Sequence, residues 1–100
     1  MADFKMDNQY IQDRSGRRLG KIDNQYIQDS SGRRLVKVDN QYIQDSSGRR
    51  LLKVDNQYIL DAGGHRIVPV EEVRKHIGGT NTMAPEYVAA LWLCFVKRGL

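Results

Sequence analysis

Four tyrosines and four arginines recur at a fixed interval of sixteen residues: Tyr10, Tyr26, Tyr42 and Tyr58, and Arg18, Arg34, Arg50 and Arg66. An aromatic ring beside a guanidinium can stack on a sugar or a base and grip an anion. These eight residues are therefore the candidate ligand-binding set, with carbohydrate or nucleotide as the ligand class. The competing reading of the tyrosines is packing, with each hydroxyl reaching a partner. An aspartate accompanies each arginine, at Asp13, Asp29, Asp45 and Asp61, and cross-strand Asp–Arg pairing is expected. On that expectation few arginines are free to displace counterions from phosphate, so no nucleic-acid partner is predicted.

Other chemistry is hard to find. Two histidines and one cysteine offer no metal-ligand spacing, so no metal or cofactor is predicted. His65 takes the place of the arginine of its copy, and His76 falls near a helix C-terminus, where a cation is favoured. Cys94 lies within an apolar run and reads as a small hydrophobe rather than a nucleophile. A catalytic carboxylate pair has no reason to appear four times, and no catalytic residue is assigned. The sequence predicts a protein that is not an enzyme.

The elements that must hold the tyrosine and arginine rows come from tandem copies. "DNQYIQDRSGRRLGKI" (Asp7 to Ile22), "DNQYIQDSSGRRLVKV" (Asp23 to Val38), "DNQYIQDSSGRRLLKV" (Asp39 to Val54) and "DNQYILDAGGHRIVPV" (Asp55 to Val70) follow one another without a gap. Such close copies fit recent duplication or design. Within a copy, two β-prone runs flank Asp-Ser-Ser-Gly, where Asp29 opens a type I turn and Gly32 supplies the positive φ of a G1 bulge. Gly16, Gly48 and Gly64 keep that role in the other copies. Counting outward from the turn pairs Gln28 with Arg34, Ile27 with Leu35 and Tyr26 with Val36. Between copies, a three-residue connection Asp39-Asn40-Gln41 would pair Val38 with Tyr42 and keep each isoleucine on the same face. A two-residue turn at Asp39-Asn40 would flip the faces. The predicted inner cluster is then Ile11, Leu19, Ile27, Leu35, Ile43, Leu51, Ile59 and Ile67. The tyrosines would layer with Ile22, Val38, Val54 and Val70.

Four equivalent hairpins close most economically into a ring, which also removes exposed strand edges. The fold class is mainly β: four tandem hairpin repeats with pseudo-fourfold symmetry over residues 1–70, then a C-terminal helical segment over 71–100 packed on them. The unit "YIQDSSGRRLVKVDNQ" resembles the bacterial four-fold β-flower family, on the Y-I-x-D-x-x-G-R motif and the repeat number. The resemblance spans about Asp7 to Val70 and implies a fold rather than an activity. "YIQDSSGRRL" is also similar to the YD repeats of Rhs-type shells and, more loosely, to hairpin repeats that bind cell-wall choline or glucan. Both differ in period, and the wall-binding type has tryptophans where this chain has none.

In the tail, "VEEVRKHIGG" has acids in its first turn, bases in its last and Gly78 past its end, which predicts a short amphipathic helix. Pro85 and Glu86 open a second, with a strand over the same residues as the alternative. Tyr87 to Val96 are all apolar, so this element must be covered on every side. Ten such residues fall short of the about 20 that a bilayer span requires, so no transmembrane segment is predicted. If the ring is filled by its own side chains, a partner must cover the run. The expected partner is a second copy, in a homo-oligomer (dimer or tetramer) whose interface includes Tyr87, Leu91, Trp92 and Phe95. An unknown protein or glycan is a further partner class. The net charge of +4 is mild, and the lone cysteine with no signal-like start predicts a cytoplasmic protein. The function read from the sequence is a non-enzymatic homo-oligomeric scaffold or binding module, with a small-ligand binding protein as the alternative.

Overall fold

The computed structural model describes residues 3–55 and 57–96. Its strands are β1 (Phe4–Asp7), β2 (Tyr10–Asp13), β3 (Arg18–Asp23), β4 (Tyr26–Asp29), β5 (Arg34–Asp39), β6 (Tyr42–Gln44), β7 (Arg50–Asp55), β8 (Tyr58–Asp61), β9 (Arg66–Pro69) and β10 (Ile77–Gly78). They form one sheet in the order β10-β1-β2-β3-β4-β5-β6-β7-β8-β9, antiparallel throughout except for the parallel β1–β10 pair. Helix α1 (Val70–His76) links β9 to β10, and α2 (Pro85–Leu91) continues into a π-helical turn, Trp92–Val96.

The sheet curls but is not closed by strand pairing. Ten strands laid flat would span about 43 Å, more than the longest dimension of the molecule, 36 Å. Its edges, β9 and β10, are joined by α1, whose seven residues span only about 10 Å.

The predicted turn holds in every copy. Gly16, Gly32, Gly48 and Gly64 have φ between 86° and 91°, and the amide of Gly32 donates to the Asp29 carbonyl at 3.0 Å. Beyond the turn, the register differs from the expected one. Gln28 faces Arg34, but Ile27 faces Val36 and Tyr26 faces Lys37, because Leu35 is an extra residue in a β-bulge. The connection between copies is also shorter than expected. Asp39 faces Tyr42 and Val38 faces Ile43, so the turn is the two residues Asn40-Gln41, with Asn40 at φ +57° as a tight hairpin turn requires. The bulge supplies the odd residue that the parity argument assigned to the connection, and each isoleucine stays on one face.

The inner face is therefore Ile11, Ile27, Ile43 and Ile59, all fully buried, with Val36, Val38, Leu52 and Val54. Leu19, Leu35 and Leu51, expected inside, are the bulge residues and only partly buried; Ile67 is exposed. Strand β1 extends the pattern, since "FKMDNQ" repeats the end of a copy such as "VKVDNQ" with Phe4 and Met6 at apolar positions. That likeness is the signal by which β1 could have been anticipated. Ile77 and Gly78, expected in and just past the first tail helix, instead form β10 against Phe4 and Lys5.

Over Pro85–Leu91 the helical alternative holds, with Pro85 in the first turn. Arg74 steadies the approach to α2: its guanidinium donates to the carbonyls of Thr80 and Met83, the latter at 3.0 Å. The helix packs on the inner face against β5, β6, β7 and α1. Val88, Ala89, Ala90 and Leu91 are fully buried, and Leu93 and Phe95 nearly so. The premise that the sheet is filled and leaves this run uncovered is thus corrected. Small residues make the space, Ala89 and Ala90 on the helix and Gly20 on the sheet. A β-carbon added at Gly20 would fall on the Phe95 ring and the Gln28 carbonyl oxygen. Of the expected interface, Leu91 and Phe95 are buried within the chain, while Tyr87 and Trp92 are half-buried. Lys97, Arg98 and Gly99, the expected end of the second helix, lie outside the described residues.

Candidate functional site

Opposite the buried face, the tyrosine and arginine rows come together. Each tyrosine sits in the first strand of a hairpin and its arginine at the start of the second, just after the glycine turn. The guanidinium lies over the ring, 4.0 Å from the centroid for Arg18 on Tyr10, 4.1 Å for Arg34 on Tyr26, 3.9 Å for Arg50 on Tyr42 and 4.4 Å for Arg66 on Tyr58. Such a cation–π contact holds a long side chain in one pose and contributes about 0.5–1 kcal/mol at an exposed site. The tyrosine and arginine rows named from the sequence thus lie side by side, each tyrosine beside the arginine of its own copy.

The aspartates do something other than pair with these arginines. Asp29 Oδ1 accepts from the Ser31 amide (2.9 Å), the Ser31 hydroxyl (2.7 Å) and the Arg33 amide (3.0 Å). Asp13 and Asp45 repeat this set, and Asp61 accepts from the amides of Gly63 and His65. The serine hydroxyl above all, helped by the turn amides, holds the carboxyls of Asp13, Asp29 and Asp45 below the usual carboxylate range. At Asp61 the His65 amide is the chief cause of the same lowering. Among the described residues, the ion pairs are Arg14–Asp3, His65–Asp61 when the histidine is protonated, and Lys75–Glu72. Among the described residues no carboxylate forms an ion pair with Arg18, Arg34, Arg50 or Arg66, so the expectation that aspartates neutralise the arginine row is corrected. The local reason is geometric: an aspartate that opens a type I turn has unsatisfied amides closer to hand than a side chain on the opposite strand.

Adjacent hairpins leave grooves between them, and three of the described grooves share one plan. The largest, about 390 Å³, has Tyr26, Arg34 and Lys37 on one wall and the turn Asp45-Ser46-Ser47-Gly48 of the next copy on the other. Tyr10, Arg18 and Lys21 face Asp29-Ser30-Ser31-Gly32 across about 340 Å³. Tyr42, Arg50 and Lys53 face Asp61-Ala62-Gly63-Gly64 across about 310 Å³. In the fourth copy Pro69 stands opposite Tyr58, where the other copies have lysine. The lysines and the neighbouring turns are members of the site that the sequence reading missed. The sixteen-residue period carries Lys21, Lys37 and Lys53 as plainly as it carries the arginines, but only the register shows that they sit across from the tyrosines.

Elsewhere the chemistry is sparse. Burial pushes the Cys94 thiol up to about 12, away from a reactive thiolate. Among the described residues no three His, Cys, Asp or Glu side chains gather as a metal site would require, and no helix is long and apolar enough to cross a membrane. Compared with known protein families, with curated proteins and with solved structures, the chain finds no match in any of the three.

Proposed function

We propose that this chain is a non-enzymatic binding module whose working surface is the outer face of the repeats, with Tyr10, Tyr26, Tyr42 and Tyr58 and Arg18, Arg34, Arg50 and Arg66 as its contact residues. The observation that carries the reading is the same groove built three times from the same residue types, each with a cation held on an aromatic ring and, among the described residues, no carboxylate ion-paired with it. Repeated weak sites suit an extended ligand, because each engaged groove raises the effective concentration of the next. The oligomeric-scaffold reading drew its force from an apolar run in need of cover, and the chain's own sheet supplies cover for most of it. The matching fold reading is a four-petalled arrangement like that of the β-flower family: four hairpins around α2, with α1 bridging the gap.

The test is a survey of full-length protein by amide chemical shifts with dextran, hyaluronan, polyglutamate and oligodeoxythymidine as probes. At least one probe should shift the amides around Tyr10, Tyr26 and Tyr42 together, and an Arg18→Ala/Arg34→Ala/Arg50→Ala variant should lose that response. A protein whose grooves respond to none of the four, and which sediments as a dimer or tetramer, would overturn the reading in favour of the scaffold.

A further inference from the structure

Resting on that reading, the three grooves can be asked what they would hold. We infer that they bind a linear acidic polysaccharide in which one charged sugar alternates with a neutral, hydroxyl-rich one. Three features of the grooves lead there.

The first is the arginine. A guanidinium whose central carbon lies about 4 Å over a tyrosine ring covers that ring face and keeps N–H donors for a ligand. The tyrosine is therefore no open platform for a base, since a base could stack there only by displacing the arginine. A carboxylate or sulfate needs no displacement: it meets the N–H edge in the plane of the guanidinium.

The second is the balance of charge. In the groove of Tyr26, Arg34 and Lys37 face Asp45, leaving one net positive charge among the lining side chains. The grooves of Tyr10 and Tyr42 repeat this with Asp29 and Asp61. Each aspartate binds the turn through Oδ1 and has Oδ2 left to accept from sugar hydroxyls. A phosphodiester chain would bring a negative charge to that wall and be repelled, whereas a neutral sugar brings donors.

The third is spacing. Neighbouring grooves are two strands apart, about 10 Å at the sheet backbone and more at its convex outer surface, a step that a disaccharide matches better than a single nucleotide does. One anion per disaccharide then meets one surplus cation per groove. A single-stranded nucleic acid carries a phosphate at every nucleotide and would place more than one charge in each step.

The experiment uses hyaluronan oligosaccharides, with one carboxylate per disaccharide, against oligodeoxythymidine of the same total charge and against dextran, by calorimetry on the full chain at about 0.15 M salt. Hyaluronan should bind at least about tenfold more tightly than either competitor. Arg18→Ala/Arg34→Ala/Arg50→Ala should weaken it by about tenfold or more. Asp29→Asn/Asp45→Asn/Asp61→Asn, which keeps the turn acceptors, should weaken hyaluronan while strengthening the oligodeoxythymidine. Equal or tighter binding of the DNA or of dextran at the same grooves would overturn the acidic-glycan assignment and leave the binding-module reading standing. Hyaluronan binding that the arginine variant leaves unchanged, with its melting temperature retained, would also overturn the assignment.

Discussion

The two faces of the repeat sheet obey different rules. On the outer face, tyrosine, arginine, lysine and turn aspartate recur in the first three copies without change. On the inner face, the residue opposite the buried isoleucine is Gly20, Val36, Leu52 and Val68 in turn. The second and third copies differ at one position, and that position is Val36 against Leu52, both buried beside α2. The difference follows from what each face meets. One helix with no fourfold symmetry of its own lies against the inner face, so equivalent positions need different volumes. Packing does not ask the exposed face to repeat, and the periodic ligand proposed above would use that repetition.

The comparison can be broken by substitutions that treat the faces alike. Leu52→Ala should cost about 2–5 kcal/mol, because it opens a cavity where the sheet meets α2. Arg34→Ala should cost under about 1 kcal/mol, the scale of an exposed cation–π contact. Chemical denaturation measures both; equal losses would mean that the outer face is structural too and would remove the main support for a binding role.

A smaller effect lies in acid. Asp13, Asp29, Asp45 and Asp61 have carboxyls held below their unfolded range by turn hydrogen bonds. Their contribution is present in full above the unfolded value, near pH 4, and is lost as pH falls through the lower folded value. Melting temperature should therefore drop as pH falls below about 4. A variant with all four changed to asparagine should lose part of that slope while melting slightly lower at pH 7. An unchanged slope would mean that the turn carboxylates do not act as described.

The hairpins, their glycine turns and the buried isoleucines were legible because each rests on local chemistry: a left-handed residue needs glycine, and an apolar residue every sixteen positions needs one environment. Register was not. A bulge at Leu35 and a two-residue turn at Asn40-Gln41 give the same parity as no bulge and a three-residue connection, and residue types alone do not separate the two. The apolar run announced its need for cover, but not who provides it, because the space depends on Gly20, Ala89 and Ala90 meeting across the sequence. In the candidate site, the tyrosines and arginines were visible as types at a period. The missing part was the competition for each aspartate, which nearby turn amides win over an arginine across the strand.

The inner face of the repeats is tailored to one non-repeating element, and the contact of Gly20 with Phe95 offers the sharpest test of that fit. A double-mutant cycle of Gly20→Ala and Phe95→Ala, followed by denaturant unfolding, measures their coupling. Gly20→Ala alone should destabilise the protein, because the new methyl group meets the Gln28 carbonyl oxygen and the Phe95 ring, and only the second clash is relieved by Phe95→Ala. With the ring removed as well, the loss should fall short of the sum of the single losses by about 0.5–3 kcal/mol. Additive losses would place Phe95 away from Gly20 and mean that the inner face is not fitted to the C-terminal helix.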